Sequence, residues 1–286
     1  MSPLAPLWRG LRIAEHLLTG ASLAIVIATG QGLGYRVLWL DTVVCWWYQR
    51  LLRCLRISVR VDGAAAETTL MVANHISWLD IPVIGSQGKM RFLSKAEVRR
   101  WPIIGWMSEL AGTVFIDRGA HRVDEVVAGV CTRIQAGQPV VVFPEGTTSD
   151  GREVQRFHPR LFAICQQTGL AVQPIALRYG EGQEPDRVAP FVGDETLVAH
   201  LWRLLRHPGL QVRVSFLDPI PVASLDRRRL AEATRTAIAT QLAEAAPEPM
   251  ILRSRQYRGK HSSRDGLADP GEAQPPDRLC QAGNAP

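Results

Sequence analysis

A histidine and an aspartate five residues apart stand where this chain could move a proton. His75 and Asp80 follow a short apolar run, Leu70–Ala73, which is typical of a buried strand. In α/β folds the reacting groups lie beyond the carboxyl ends of strands, so both side chains belong to a candidate site. A histidine can take up a proton near neutral pH, and a carboxylate can hold its tautomer by accepting a hydrogen bond. The pair therefore predicts general-base chemistry.

A second polar cluster follows another apolar run. Thr113–Ile116 leads directly into Asp117 and Arg118. The planar guanidinium of Arg118 can bind a phosphate through two hydrogen bonds, which makes it a candidate anion ligand. The alternative for such an Asp-Arg dipeptide is a salt bridge with the adjacent loop.

The third cluster is a charged turn that contains glycine. Glu145 and Gly146 follow an apolar run, and Gly146 allows a ligand to approach the backbone closely. The hydroxyl and amide of Thr147 suit a phosphate. For Thr148 and Ser149 the better interpretation is a helix start with a capping threonine.

These clusters need a scaffold of strands and helices that alternate along the chain. A helical stripe between Val123 and Ile134 and a proline at Pro174, which fits a strand start or edge, belong to this pattern. The alternation predicts an α/β fold with a largely parallel sheet flanked by helices. The predicted strands are Leu70–Ala73, Thr113–Ile116, Pro139–Phe143, Ala171–Leu177 and Val212–Phe216.

The N-terminal part has a membrane-like pattern. Leu17–Tyr35 is a stretch of 19 residues without a charge, close to the roughly 20 that span a bilayer. Val37–Leu55 is amphipathic and contains Trp39, Trp46 and Trp47, and tryptophan prefers the membrane interface. We expect a helical hairpin that lies in, or dips into, one leaflet. The alternative is an ordinary helix packed on the core.

Charge and cysteine usage exclude some classes of function. The net charge is +6, and arginine supplies all but three of the 33 basic residues, which suits phosphates, an anionic membrane or nucleic acid. The tryptophans and the apolar N-terminus favour the membrane and no nucleic acid. Five scattered cysteines form neither a disulfide framework nor a zinc pattern. His75 and Asp80 have no third ligand at a recognisable spacing, so no metal is predicted.

The composition divides the chain into three parts. We predict an N-terminal membrane-associated helical segment at residues 1–60, followed by a catalytic α/β domain at residues 61–252. Residues 253–286 are rich in Ser, Gly, Pro, Asp, Arg and Gln. Such a segment buries too little apolar surface to fold, so we expect a disordered tail.

The motifs resemble a known family. Asn-His-x-Ser-x-x-Asp at residues 74–80, the Arg118 and Glu145 clusters, and Val172–Ala176 follow the order and spacing of the four glycerolipid acyltransferase signatures. Ser94-Lys95-x-Glu97 is similar to the segment between the first two. Together they cover about residues 70–180, and the bacterial 1-acyl-glycerol-3-phosphate acyltransferases are the most similar group.

The resemblance implies roles for these residues. His75 would deprotonate a lipid hydroxyl as it attacks a thioester, and Asp80 would orient His75. Lys95 and Arg118 would bind the acceptor phosphate. Glu145 would order that pocket or contact acceptor hydroxyls, with Gly146 and Thr147 also binding substrate.

The resemblance also implies substrates, partners and a location. The donor would be acyl-CoA or acyl-carrier protein, which is a co-substrate, so no cofactor is expected. The acceptor would be a lysophospholipid, most simply 1-acyl-glycerol-3-phosphate, giving phosphatidic acid. The enzyme would sit on the bacterial inner membrane with its site facing the cytoplasm. The backbone N–H groups near Ser77 or Gly146 are candidate oxyanion donors, and the hydroxyl of Ser77 would cap a helix near Asp80.

Two departures leave the acceptor open. Thr148 stands where many relatives have arginine, and Phe157-His158-Pro159-Arg160 stands where they often have Phe-Lys-x-Gly. A lyso-ornithine lipid is therefore an alternative acceptor. A thioester or lipid hydrolase ranks lower because no G-x-S-x-G elbow is present. A non-enzymatic basic adaptor would not explain polar clusters at several strand ends.

Overall fold

A seven-stranded sheet lies at the centre of the molecule and positions the candidate site. The computed structural model describes residues 5–66, 69–101, 104–116, 123–181, 185–222 and 225–244. At Lys95, Ile116 and residues 123–126 only the backbone is described. Arg118 and the predicted tail at 253–286 lie outside the described residues.

Helices and strands alternate along the described part of the chain. The helices are α1 (Ala5–Gly32), α2 (Leu40–Leu55), α3 (Asp80–Gly85), α4 (Ala96–Arg99), α5 (Ile104–Leu110), α6 (Val123–Gln135), α7 (Ala163–Thr168), α8 (Leu197–Arg206) and α9 (Arg227–Ala243). The strands are β1 (Ile57–Asp62), β2 (Leu70–Ala73), β3 (Arg91–Lys95), β4 (Val114–Ile116), β5 (Val140–Val142), β6 (Val172–Tyr179) and β7 (Leu210–Phe216).

The sheet is mixed but mostly parallel, as the sequence predicted. Its strand order is β1-β7-β6-β2-β5-β3-β4, and the β6–β7 pair alone is antiparallel within the described residues. β2 lies between β5 and β6, with Leu70 opposite both Val140 and Val172. All four residues of β2 are buried. This central strand therefore holds the His75 loop on a rigid base.

Two strands, β1 and β3, were not predicted from the sequence. β1 is an edge strand whose outer residues are exposed, so its apolar residues alternate with polar ones. β3 begins with Arg91 and ends with Lys95, so only two of its residues are apolar. The alternation in β1 is a strand signal of a kind that continuous apolar runs do not reveal, whereas β3 is too short, with charged ends, to give a periodic signal.

Pro174 lies on an internal strand, which corrects the expectation of an edge. β6 pairs with β2 on one side and with β7 on the other. The regular β6–β7 ladder starts only at Ile175, opposite Phe216, and the Pro174 carbonyl accepts the Leu217 N–H at 2.9 Å. Proline lacks an N–H donor, but Pro174 lies just before the first residue of the β6–β7 ladder, so the ladder loses no hydrogen bond there.

The helices α1 and α2 lie side by side in opposite directions. Glu15 accepts a hydrogen bond from Arg50 at 2.7 Å, and the His16 ring stacks on Trp47 with centroids 4.4 Å apart. A Cβ at Gly20 would lie 2.6 Å from the Trp47 indole nitrogen, so glycine allows this close packing. By length and composition alone, α1 could cross a membrane. Its association with a membrane remains a prediction.

The N-terminal helices share the hydrophobic core of the sheet. Ile13, Leu52 and Leu55 are buried in the same cluster as Met71 and Val83. The predicted boundary at residue 60 falls inside β1. The helices therefore pack directly on the scaffold that holds the site.

Candidate active site

The sheet brings the predicted polar clusters to one edge. β2, β5, β3 and β4 are successive parallel neighbours, so their carboxyl ends lie side by side. His75 follows β2 and Glu145 follows β5, on adjacent strands. Lys95 ends β3 opposite Ile116, which ends β4. The side chains of Lys95 and Arg118 are outside the described part, so their phosphate-binding role remains a prediction.

His75 and Asp80 form a direct hydrogen bond. The distance from His75 Nδ1 to Asp80 Oδ2 is 2.8 Å. A carboxylate can only accept, so the neutral imidazole carries its proton on Nδ1 and leaves Nε2 as the acceptor. The His75 side chain is partly exposed and can be reached from outside. This geometry suits a general base whose tautomer is fixed.

The loop between the two residues folds around the carboxylate. Asp80 Oδ2 also accepts the backbone N–H groups of Ile76 at 2.7 Å and Ser77 at 3.0 Å. Asp80 is the first residue of α3, where the helix dipole favours a negative charge. The local hydrogen bonds therefore hold both the acid and the imidazole it supports.

Tyr179 supplies a fourth donor that the sequence did not indicate. Its phenol donates to Asp80 Oδ1 at 2.8 Å, and both side chains are fully buried or nearly so. Burial raises the pKa of Tyr179 well above its ordinary value, and the negative charge of Asp80 and the hydrogen bond raise it further. The phenol therefore keeps its proton and remains a donor. A buried carboxylate needs such donors in place of water.

Asn74 extends the pairing of β2 with β6. Its side-chain amide donates to the Leu177 carbonyl at 3.0 Å and accepts the Leu177 N–H at 2.8 Å. The side chain thus replaces a backbone pair just beyond the end of β2. This contact ties the start of the His75 loop to the strand that carries Tyr179.

Glu145 lies behind the His75 backbone. Its Oε1 accepts the His75 N–H at 3.1 Å, its Oε2 is buried, and the backbone N–H of Gln155 also favours the charged carboxylate. Burial is the main cause that raises the pKa of Glu145 to about 7; the Asp80 charge adds to this, and the His75 N–H opposes it. The observed contact orders the His75 loop. Contact with acceptor hydroxyls remains a prediction.

The turn after Glu145 borders the site. Phe143 stacks on the His75 ring with centroids 4.2 Å apart. Gly146 has a φ of +71°, and a Cβ there would lie 3.4 Å from the His158 ring. Gly146 and Thr147 are exposed, which leaves them free to meet a ligand.

Thr148 and Ser149 do not begin a helix, contrary to expectation. The Thr148 hydroxyl donates to the Phe191 carbonyl, and the Ser149 N–H donates to the His75 carbonyl at 2.8 Å. Loop-to-loop hydrogen bonds of this kind join distant segments, and no local sequence signal marks them. Both residues therefore hold the His75 loop in place.

The backbone N–H groups of Ser77 and Gly146 themselves already have partners within the protein. The Ser77 N–H donates to Asp80, and the Gly146 N–H donates to the Phe143 carbonyl at 3.1 Å. The Ser77 hydroxyl is buried without a partner among the described residues, so it does not cap α3. The helix-cap prediction for Ser77 was wrong, and its N–H is taken up by the carboxylate of Asp80. An oxyanion role for the neighbouring backbone N–H groups of these two loops remains a prediction.

An apolar cavity of about 400 Å³ opens beside the His75 loop. It lies between α1, α2, α5 and α8, and Trp78 of the His75 loop forms part of its wall. Its lining is almost entirely apolar, with Leu17, Ile27 and Leu201 among the residues. Such a cavity suits an aliphatic chain.

In the part of the chain that is described, no three or more His, Cys, Asp or Glu side chains are placed to hold a metal ion.

Comparisons with known proteins agree with the motifs. Residues 56–178 match the family model described as Acyltransferase. The chain is 44% identical over 204 residues to a lyso-ornithine lipid O-acyltransferase of Pseudomonas aeruginosa, covering 71% of this chain and 79% of that one. It is 34% identical over 201 residues to a 1-acyl-sn-glycerol-3-phosphate acyltransferase of Neisseria meningitidis, covering 68% and 79%.

A solved structure has a similar fold. The crystal structure of the 1-acyl-sn-glycerophosphate (LPA) acyltransferase PlsC from Thermotoga maritima matches with a TM-score of 0.56. The match covers 82% of this chain and 100% of that chain, at 21% identity. At this identity the likeness concerns the fold.

Proposed function

Because the chain belongs to the acyltransferase family of lysophospholipid-type enzymes, we propose that it moves a fatty acyl chain from acyl-CoA or acyl-carrier protein to the free hydroxyl of a lysolipid. The observation that carries this proposal is the hydrogen bond from His75 Nδ1 to Asp80 Oδ2 at 2.8 Å, which leaves Nε2 as a base. The imidazole is partly exposed, and Trp78, three residues further along the same loop, lines an apolar cavity. A base and a chain-sized apolar space are what acyl transfer to a lipid requires.

The chemistry needs no protein nucleophile. The acceptor hydroxyl gives its proton to His75 Nε2 as its oxygen bonds to the thioester carbonyl carbon. The carbonyl electron pair moves to oxygen, and the tetrahedral intermediate then expels the thiolate. His75 returns the proton to that sulfur, so the products are an ester and a free thiol. The imidazolium that forms in between is stabilised by Asp80.

Two acceptors are favoured by separate observations. A lyso-ornithine lipid is favoured by the 44% identity to the Pseudomonas relative, compared with 34% to the Neisseria enzyme over a similar share of each chain. Thr148, which stands in place of the usual arginine, donates to Phe191 and supplies no cation. We therefore propose the lyso-ornithine lipid as the first acceptor.

The second candidate is 1-acyl-glycerol-3-phosphate. It is favoured by the cations that the sequence predicts at this edge, Lys95 and Arg118, which suit a phosphate. The long apolar helix α1 and the tryptophans of α2 suit an enzyme that takes either acceptor from a bilayer. We propose an inner-membrane location with the site on the cytoplasmic side, where both thioester donors occur.

Thiol release from acyl-CoA by the purified full-length protein tests both the reaction and the acceptor. In detergent micelles we expect thiol release that depends on added lysolipid, with the acylated product identified by mass spectrometry. The two lysolipids are compared by kcat/KM, and the His75→Ala protein gives the blank. Thiol release without any acceptor, together with free fatty acid, would support a hydrolase instead. No thiol release from acyl-CoA or acyl-carrier protein with either lysolipid would contradict the proposal.

A further inference from the structure

The helix α8 has an outer face that is poorly suited to water. Val198, Trp202 and Arg206 are four residues apart, so they form one stripe along the helix. Val198 is 77% exposed and Trp202 is 47% exposed. The opposite face is buried through His200, Leu204 and Leu205. Apolar residues that share an exposed face mark an interaction surface more often than a single exposed one does.

This face borders the apolar cavity. Val198 lines the cavity and yet is largely exposed, so it lies at the rim. Trp101 also lines the cavity and is 36% exposed. Both side chains thus line the cavity and also reach the surface. The rim must therefore face whatever delivers the chain.

The start of α1 lies directly against the end of α8. The buried guanidinium of Arg9 donates from Nη1 to the carbonyls of Leu205 and His207, each at 2.6 Å. Next to Arg9 in sequence, Leu7, Trp8 and Leu11 are exposed. The exposed apolar side chains of α1 thus begin close to those of α8.

The charge on α8 suits an anionic lipid surface. Arg206 ends the exposed stripe, and α8 itself contains no acidic residue. Glu195, which precedes the helix, is paired with Arg203 at 3.0 Å. A tryptophan with a nearby arginine is suited to the interfacial layer of a bilayer, where the ring meets acyl chains and the cation meets headgroups.

The inner face of α8 holds the catalytic loop. The Trp78 indole N–H donates to His200 Nδ1 at 2.8 Å, and His200 Nε2 lies 3.0 Å from the Val188 carbonyl, to which it donates. His200 is fully buried, and Trp78 forms part of the cavity wall near His75. One helix therefore contacts the catalytic loop on one side and is exposed at the cavity rim on the other.

We propose that α8 is a lipid-contacting element of the α/β domain, separate from the N-terminal helices. Val198 and Trp202 insert into the interfacial layer of the bilayer, and the lipid chain enters the cavity at this rim. The inference rests on the proposed membrane acyltransferase function. It adds a second contact that fixes how the domain is oriented on the membrane.

Photocrosslinking tests the contact without using catalysis. The full-length protein is reconstituted with phosphatidylethanolamine and phosphatidylglycerol vesicles, with p-benzoylphenylalanine in place of Trp202. The matched control has the same group in place of Val61, which is 42% exposed on the edge strand β1 and does not line the cavity. We expect a lipid adduct by mass spectrometry at position 202 and none at position 61. Equal yields at both positions, or a crosslink to a second protein chain, would overturn the proposal.

The Trp202→Ala variant gives an independent measurement. Loss of one inserted aromatic side chain is expected to weaken binding to these vesicles about tenfold, while activity in detergent micelles remains unchanged. Unchanged vesicle binding would count against the contact. If position 202 crosslinks to lipid but the protein transfers no acyl chain, the proposed function fails and the lipid contact stands. If the protein transfers acyl chains but position 202 gives no lipid adduct, the proposed function stands and the lipid contact at α8 is wrong.

Discussion

The phenol of Tyr179 donates a hydrogen bond to Asp80 Oδ1 at 2.8 Å, although 99 residues separate them in the chain. The other carboxylate oxygen, Oδ2, contacts the His75 imidazole. Asp80 therefore lies between a buried donor and the proposed base. We assign Tyr179 a positioning role, in which it acts on His75 through Asp80.

Tyr179→Phe removes the donor and keeps the ring. Asp80 Oδ1 then remains buried with one partner fewer, which is expected to lower the free energy of unfolding by about 1–3 kcal/mol. We expect kcat to fall about tenfold, with little change in KM for either substrate. Denaturant titration and steady-state kinetics give the two quantities.

A spectroscopic measurement separates positioning from a purely structural role. The His75 Nδ1 proton that points at Asp80 should give a low-field NMR signal, and this signal should move in Tyr179→Phe. Ile134→Ala, a substitution of a buried core residue of α6 away from the cavity, is the control for a general loss of stability. If the destabilised Tyr179→Phe protein keeps both its kcat and this signal, Tyr179 has only a structural role.

His75→Ala should abolish acyl transfer and leave the fold intact. The loss of a general base lowers kcat by about 10²–10⁴-fold. His207→Ala is the matched control, because that imidazole contacts only the Gly209 N–H among the described residues, at 3.3 Å. Normal turnover by His75→Ala would remove His75 from the mechanism. Membrane association should be the same in all three proteins.

The sequence located the local part of the site and missed its distant partners. His75 and Asp80 are five residues apart, so a short loop suffices to join them, and their spacing is visible in the sequence. Tyr179 reaches Asp80 only because β6 is the neighbour of β2 and continues beyond its end. In the sequence, a tyrosine at the end of an apolar strand does not indicate that its hydroxyl contacts Asp80.

The same distinction applies to the sheet. The continuous apolar runs of β2 and β5 are buried on both sides and were predicted from composition. The antiparallel direction of β7 depends on how the chain returns after α8. Hydrophobic periodicity indicates a strand but not the direction in which it pairs. The places of Thr148 and Ser149 likewise depend on loops that meet only after folding.

Arg118→Ala tests the phosphate site that the sequence predicts. If Arg118 binds an acceptor phosphate, the substitution should raise KM for 1-acyl-glycerol-3-phosphate about tenfold and leave KM for acyl-CoA unchanged. KM for a lyso-ornithine lipid should change less, because its head group has no phosphate. Arg228→Ala, an exposed arginine on α9, is the control. Equal increases of the donor and acceptor KM would argue against a phosphate contact.

Asp41→Ala tests how firmly α2 is attached to the sheet. Arg91 Nη2 donates to Asp41 Oδ1 at 2.6 Å, and the Arg91 side chain is 8% exposed. Loss of the acid leaves a nearly buried cation without this partner, so the free energy of unfolding should fall by about 2–3 kcal/mol.

An ion pair between α1 and α2 with a more exposed acid is the control for Asp41. Glu15 pairs with Arg50 at 2.7 Å, but its side chain is 61% exposed. Glu15→Ala should therefore change the free energy of unfolding by less than about 1 kcal/mol. Thermal unfolding in detergent compares the two variants. Equal effects would show that the Arg91 pair does not stabilise the attachment of α2.

Glu145→Gln tests the effect of pH on stability. Burial raises the pKa of Glu145 from 4.5 to about 7 in the folded protein. Between these values the folded protein holds a proton that the unfolded chain has released, so a rise in pH favours unfolding. The contribution of Glu145 to the free energy of unfolding should therefore fall by about 3 kcal/mol as the pH rises through this range.

Glutamine has nearly the same shape and does not titrate. Its Oε1 can still accept the His75 N–H, and its amide nitrogen takes the place of the other, buried carboxylate oxygen. Denaturant titrations of both proteins from pH 5 to pH 8, the range set by this shifted pKa, should show the wild type losing stability relative to Glu145→Gln as the pH rises. All other residues are the same in both proteins, so the difference in stability reports Glu145 together with its interaction with Asp80. Parallel stability curves would mean that Glu145 is ionised throughout and that its buried oxygen has a partner in solution.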